Sequence, residues 1–146
     1  GNNMRNRYIF LTSDFYNDYS SCLEIEQKPT RPYIRIQIEI NGVIWALPLR
    51  SNIKHPNAIW TDKANNRGID LSKAVVVSDT AKYISPVSPH LRPNEFDTLK
   101  KINDSWIVNR FKQYIALYKK AKAHPEVSRN NKILAYSTLK YFESYI

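Results

Sequence analysis

One run restricts the fold more than any other part of the chain: YIRIQIEINGVIWALPL, residues 33–49. Ile34, Ile36, Ile38 and Ile40 recur at every second position, with Tyr33, Arg35, Gln37 and Glu39 between them. A period of two marks a half-buried strand, because successive side chains leave a pleated backbone on opposite faces. Asn41-Gly42 follows, and both residue types tolerate the positive φ that a two-residue hairpin turn demands. Val43 to Leu49 then returns as the partner strand. Pro48 points to an edge or a bulge near its end, since proline has no N–H for a ladder.

A lone hairpin is marginal in water, so other elements must cover it. Upstream, RYIFLT (residues 7–12) predicts a short strand, and Ser13 caps a helix of one or two turns over DFYNDYSS. Residues 50–70 carry no apolar period and predict a loop, of a length that in a compact domain is functional or unstructured. AVVV (residues 74–77) predicts a short buried strand, and three prolines in residues 83–93 predict an extended or turning connection.

The last third predicts helices. Pro93 and Asn94 open the first. Ser105 caps a second, with Ile107, Phe111, Tyr114, Ile115 and Tyr118 on one face, and Pro125 ends it. A third runs from Ser128 to the end, with Ile133, Leu134, Tyr136, Leu139 and Phe142 inward. Strands followed by helices predict one α+β domain over residues 1–146. A mainly β core with a small barrel-like sheet spans 7–92 and a helical flank spans 93–146. Residues 1–3 read as a remnant of cloning.

The formal net charge of +9 points to a polyanionic partner: RNA, DNA or an anionic membrane. From Ser105 onward eight Lys or Arg face two Glu, which makes the helical flank basic. The single cysteine, Cys22, excludes an intrachain disulfide and a cysteine-built zinc site, and suits a cytoplasmic protein. No apolar run reaches the length of a membrane span, and RYIFLTSDF is too short and too soon interrupted by Asp14 for a signal peptide.

Several chemistries lack their residues. A metal-dependent nuclease needs converging carboxylates, and the loop offers only Asp62 and Asp70. Three isolated glycines cannot form a phosphate-cradling turn, and no Gly-x-Ser-x-Gly elbow exists. Cleavage of RNA without metal asks for less, because the substrate's own 2′-hydroxyl is the nucleophile. The protein must hold that oxygen in line, stabilise a crowded phosphate and move protons. The hairpin ends in ALPLRSNIKHPN, where Arg50, Ser51, Lys54 and His55 supply those residue types. They equally suit a loop that only grips phosphate. Tyr8, Tyr16 and Tyr33 lie near basic residues and, with Trp60, are candidates for base stacking. Trp45 and Trp106 read as packing, and His90 and His124, beside prolines, are assigned no role.

Three segments together, FLTSDFYNDY, RPYIRIQIEINGVIWALPLRSNIKHPNAIWTDK and GIDLSKAVVV, resemble the toxin component of type III toxin–antitoxin systems, most closely the CptN branch, with TenpN and ToxN/AbiQ as relatives. The similarity covers residues 7–85; the helical third matches in character. The resemblance implies an SH3-like barrel core of the Kid/MazF/CcdB kind. It also implies a bacterial, metal-independent endoribonuclease without a cofactor, leaving a 2′,3′-cyclic phosphate and a 5′-hydroxyl on cellular RNA. The implied inhibitor is a small RNA, cut by the toxin from tandem repeats into pseudoknots that close a toxin–RNA ring. The implied biology is slowed growth and abortive phage infection.

Carried over by position, the family's active-site segment falls on Arg50, Ser51, Lys54 and His55, and its basic residue before the hairpin on Arg31. In the ToxN branch the strand end reads Thr-Ser-Pro-Lys. Here Ile53 stands at the lysine's place and the cation follows at Lys54, so Lys54 and His55 compete for the proton-transfer role. The implied roles are Ser51 on the phosphate or 2′-hydroxyl, Arg31 and Arg50 as charge clamps, Lys54 as added charge and His55 as acid or base. Tyr8, Tyr33, Trp60, Lys63 and Lys73 would contact RNA, although Lys63 and Lys73 also read as solvated charge. No residue is assigned to a metal. The alternatives are a non-catalytic RNA-binding module and a toxin that blocks a protein target.

Overall fold

The computed structural model describes residues 6–26 and 32–146. At its centre β2 (Arg35–Ile40) and β3 (Val43–Arg50) form the expected hairpin, in register from Ile40↔Val43 to Arg35↔Pro48. Asn41 (φ 50°) and Gly42 (φ 80°) take the left-handed conformations the tight turn requires.

β3 is an inner strand, against the expectation that Pro48 marks an edge. Its first half pairs with β6 (Val75–Val76) through Trp45↔Val76 and Ala46↔Val75. Its far end pairs with β5 (Arg67–Asp70) through Leu49↔Ile69 and Arg50↔Gly68. Pro48 falls between these two partners, where no ladder needs its missing N–H. β1 (Tyr8–Ile9) lies outside β2, and β4 (Ala58–Asp62) outside β5, giving the order β1-β2-β3-β5-β4 with β6 also on β3. Among the described residues no ladder joins β1 to β4, so the six-stranded sheet is open and the fold is α+β.

The segment 50–70 is therefore a loop only over residues 51–57. It holds a second hairpin, β4–β5, turned by a 3-10 turn at Lys63–Asn65 and by Asn66 in the left-handed region at φ 56°. Trp60 sits in β4 opposite Gly68, not in a polar loop. Gly68 is required there: a Cβ would lie 2.3 Å from the Ile59 carbonyl oxygen.

The polar face expected of β2 is covered at Arg35 and Gln37, while Glu39 stays exposed. Arg35 is 2% exposed and donates to the Ala46 and Lys73 carbonyls; Gln37 donates to the Asn6 carbonyl. α1 (Ser13–Asp18) is capped by Thr12 rather than Ser13, and a short α2 (Thr80–Tyr83) was not expected. α3 (Pro93–Leu99) begins as predicted. α4 (Asp104–Ala123) is capped by Asn103, not Ser105, and buries Ile107, Phe111, Tyr114 and Tyr118. Phe111 meets Trp45 edge-on at 4.9 Å and so seats the helix on the hairpin.

α5 (Ser128–Tyr136) stops well before the predicted end. Ser137 and Thr138 are fully buried and their hydroxyls take other partners. Tyr114 Oη donates to Ser137 Oγ at 2.8 Å, and Thr138 Oγ1 donates to the Ser72 and Ala74 carbonyls. Ser137 Oγ also accepts the Leu139 N–H at 3.2 Å, a local bond that offers the backbone an alternative to helix. Two 3-10 turns follow, and Leu139 and Phe142 still reach the core, whereas Ile133, Leu134 and Tyr136 are only partly buried. No helix among the described residues is long and apolar enough to cross a membrane.

Candidate functional site

The antiparallel pairing of β3 with β5 sets Arg50 opposite Gly68 and so diagonally across from Asp70, two residues further along β5. Asp70 is completely buried, and its carboxylate is the hub of the region. Oδ2 accepts from Arg50 Nη1 at 2.5 Å; Oδ1 accepts from the Ser72 N–H at 2.9 Å and the Ser72 hydroxyl at 2.6 Å. His55 Nε2 lies 3.2 Å from the same carboxylate. Burial pushes the Asp70 carboxyl up, but the bonds from His55, Ser72 and Arg50 outweigh it and hold the group below its ordinary value.

Arg50 reaches a second carboxylate, with Nη2 2.7 Å from Glu26 Oε1, and its guanidinium stands 5.8 Å over the Tyr33 ring. Tyr33 Oη donates to the other oxygen of Glu26. Burial works against the Arg50 charge, and Asp70 and Glu26 more than restore it.

His55 is held from both sides. Its Nδ1 accepts the Asn57 N–H at 3.1 Å, which assigns the ring proton to Nε2, facing Asp70. The ring stacks on Tyr136 at 5.0 Å, and Tyr136 Oη accepts from Asn57 Nδ2 at 3.0 Å. Both ring nitrogens are thus engaged internally, and in this conformer His55 staples the loop 51–57 to β5. Ile53 adds a second anchor, 2% exposed with its N–H on the Asn66 carbonyl at 3.0 Å. Asn57 adds a third, its carbonyl accepting from the Leu71 N–H at 3.0 Å. Ser51 and Lys54 are left exposed on a well-fixed loop.

In front of this network runs an open groove of about 310 Å³, lined by Tyr33, Arg50, Ser51, Arg67, His90 and Arg92, with Glu95 at its side. Arg67 and Arg92 continue into an adjoining groove with Thr61, Asp62, Asn94 and Thr98. The two form one track rich in cations.

The fold thus gathers Tyr33, Arg50 and Ser51 at the groove and sets His55 behind it. Lys54 is exposed on the same loop. Arg31 lies outside the described residues. Tyr8 lines a different groove with Asn6, Gln37 and Ala81, under the Arg7 guanidinium. Trp60 is half-buried in β4, and Lys63 is exposed at the β4–β5 turn. Lys73 is turned inward: Nζ donates to the Tyr136 carbonyl at 2.7 Å and the Glu24 carbonyl at 3.2 Å, and burial lowers its ammonium below the ordinary value.

The sequence did not reveal Arg67, His90 or Arg92 as groove residues, nor Glu26, Ser72 and Tyr136 as supports. Asp70 reads there only as a loop carboxylate, not as the hub of this network. Among the described residues no three His, Cys, Asp or Glu side chains come together so as to hold a metal ion. No family model matches the chain, and neither a curated protein nor a solved structure was found to be similar to it.

Proposed function

We propose that this protein is a metal-independent endoribonuclease, the toxin of a type III toxin–antitoxin system, which cuts RNA by attack of the 2′-oxygen on the adjacent phosphorus. The observation that carries the reading is the pinned loop after β3, which presents Ser51 to a groove lined by Tyr33, Arg50, Arg67, His90 and Arg92 and leaves Lys54 exposed on the same loop. Single-stranded RNA suits such a surface: arginines meet the backbone and a tyrosine ring offers a stacking face. The groove's volume lies in the range of small-ligand sites and admits a nucleotide unit.

In this mechanism Ser51 hydrogen-bonds the phosphate, and Arg67, Arg92 and Arg50 stabilise the charge of the pentacoordinate state. One group removes the 2′ proton and another protonates the departing 5′-oxygen. His90 lines the groove, and Lys54 and His55 lie on the adjoining loop; these three are the candidates for that role. His55 serves only if its ring leaves Asn57 or Asp70; otherwise it positions the loop, and His90 is the imidazole that faces the groove. One side of β3 is shared between β5 and β6, which is compatible with the small-barrel reading. The net charge of +9 fits a folded antitoxin RNA as cytoplasmic partner.

The test is incubation of the purified protein with single-stranded RNA in EDTA. Cleavage to cyclic-phosphate ends that is lost in Ser51→Ala supports the proposal, and intact RNA contradicts it. A second reading, a non-catalytic RNA-binding module, draws on one observation: both His55 nitrogens and both Arg50 arms already have protein partners. RNA that is retarded on a gel but never cut supports that reading.

A further inference from the structure

Behind the groove lies a small enclosed cavity lined by Arg35, Arg50, Lys73, Tyr33, Glu24 and Glu26. Three cationic side chains therefore converge on one point inside the protein. Arg35 is the most unusual of them. It is 2% exposed, it forms no ion pair among the described residues, and its Nη1 reaches only two backbone carbonyls, each at 3.3 Å. Its Nε has no hydrogen-bond partner there, and neither has the buried Nε of Arg50. Buried polar groups are almost always paired, and an unpaired buried guanidinium is costly to hold. Two such atoms beside one cavity call for an acceptor.

The carboxylate that lines this cavity and engages Arg50 is Glu26. One of its oxygens takes Arg50 and the other takes Tyr33. Glu24 does not serve in this way, because its carboxylate is held by Lys140 and Tyr141, and only its carbonyl meets Lys73. Among the described residues Arg35, Arg50 and Lys73 thus bring three positive charges against the two carboxylates Asp70 and Glu26. Without Glu26 the surplus doubles from one to two. A phosphodiester carries the one negative charge that Glu26 supplies, on oxygens of similar reach. The cavity measures about 10 Å³, room for one water-sized atom at most, so a phosphate enters only in place of the Glu26 carboxylate.

We propose that Arg35, Arg50, Lys73 and Tyr33 form a buried phosphate subsite, and that the Glu26 carboxylate occupies it until a phosphodiester displaces it. The subsite deepens the endoribonuclease reading and rests on it only for the nature of the polymer. Glu26 is a competitor built into the chain. Its strength sets how readily the site opens to backbone phosphate.

The probe is inorganic phosphate, added to isotopically labelled protein while the Nε–H signals of Arg35 and Arg50 are followed by NMR. Glu26→Gln frees the cations, and half-saturation is expected at about one tenth of the phosphate concentration needed by the unmodified protein, with both Nε–H signals moving. Lys73→Met added to Glu26→Gln removes that gain. Glu126→Gln, which deletes a carboxylate elsewhere on the surface, leaves it unchanged. Equal affinity in Glu26→Gln and the unmodified protein overturns the proposal, as does binding that moves neither signal. Reading the arginine signals directly avoids an Arg35 substitution that could unfold the chain. RNA left uncut in EDTA while phosphate still moves both signals removes the endoribonuclease reading and supports the subsite. RNA cut in EDTA with both signals still overturns the subsite alone.

Discussion

Asp70→Asn keeps the shape of the side chain at the hub and removes its charge. The native carboxylate is fully buried and serves Arg50, His55 and both donors of Ser72. The amide has a single acceptor oxygen, and its NH2 turns a donor toward groups that are donors themselves. Arg50 keeps Glu26 as its charged partner, and His55 Nε2 is left with the Ser72 hydroxyl at 3.2 Å. Removing one member of a buried ion pair costs about 3–5 kcal/mol, and the surviving Glu26 bond places this change near the lower figure. For a chain of this length, about 3 kcal/mol lowers Tm by about 10 °C. The loss also depends on pH, with a definite sign. Asp70 ionises more readily in the folded chain than at its unfolded value of 3.8. Its contribution is therefore complete above that value and disappears as pH falls through the lower folded value. Thermal melts followed by circular dichroism at pH 7 and at successively more acid pH test this. The two proteins should differ by about 10 °C at neutral pH and converge in acid. A gap below about 2 °C at pH 7, or one that does not narrow in acid, refutes the reasoning.

Gly68→Ala forces a Cβ against the Ile59 carbonyl at 2.3 Å, so β4 and β5 must part. The cost should be at least about 1–3 kcal/mol, and an unchanged urea midpoint contradicts it. Thr138→Val leaves the Ser72 and Ala74 carbonyls without their donor and should cost about 1–3 kcal/mol in the same titration. Arg67→Ala combined with Arg92→Ala should reduce the slope of log affinity against log salt by about 1.4 for a single-stranded RNA, at about 0.7 per phosphate contact. An unaltered slope places the RNA elsewhere.

The β2–β3 hairpin was legible because alternation and turn chemistry agree at Asn41-Gly42. The β4–β5 hairpin was not. Its strands are short, its turn uses Asn66 rather than glycine, and Ala58, Ile59, Gly68 and Ile69 show no period of two over a useful length. Alternation also misled at Arg35, whose place on the presumed polar face gave no hint that Lys73 and Ala46 would cover it. The end of α5 was hidden for a similar reason: the apolar spacing runs on past Ser137 and Thr138, while tertiary bonds to their hydroxyls break the helix. At the site, residues local to one loop were visible, and Arg50 and Ser51 do line the groove. Arg67, His90 and Arg92 come from a strand and a proline-rich connection, and only the fold brings them together. His55 was visible as a residue type, but its engagement by Asp70 depends on a fold contact that the sequence did not disclose.

The most direct measurement compares an RNA with an otherwise identical RNA bearing 2′-O-methyl groups throughout, both in EDTA, with product ends identified by mass spectrometry. The unmodified strand should give 2′,3′-cyclic phosphate and 5′-hydroxyl ends, while the methylated strand binds and stays whole. Cleavage of the methylated strand, or no cleavage of either, contradicts attack by the substrate's own hydroxyl.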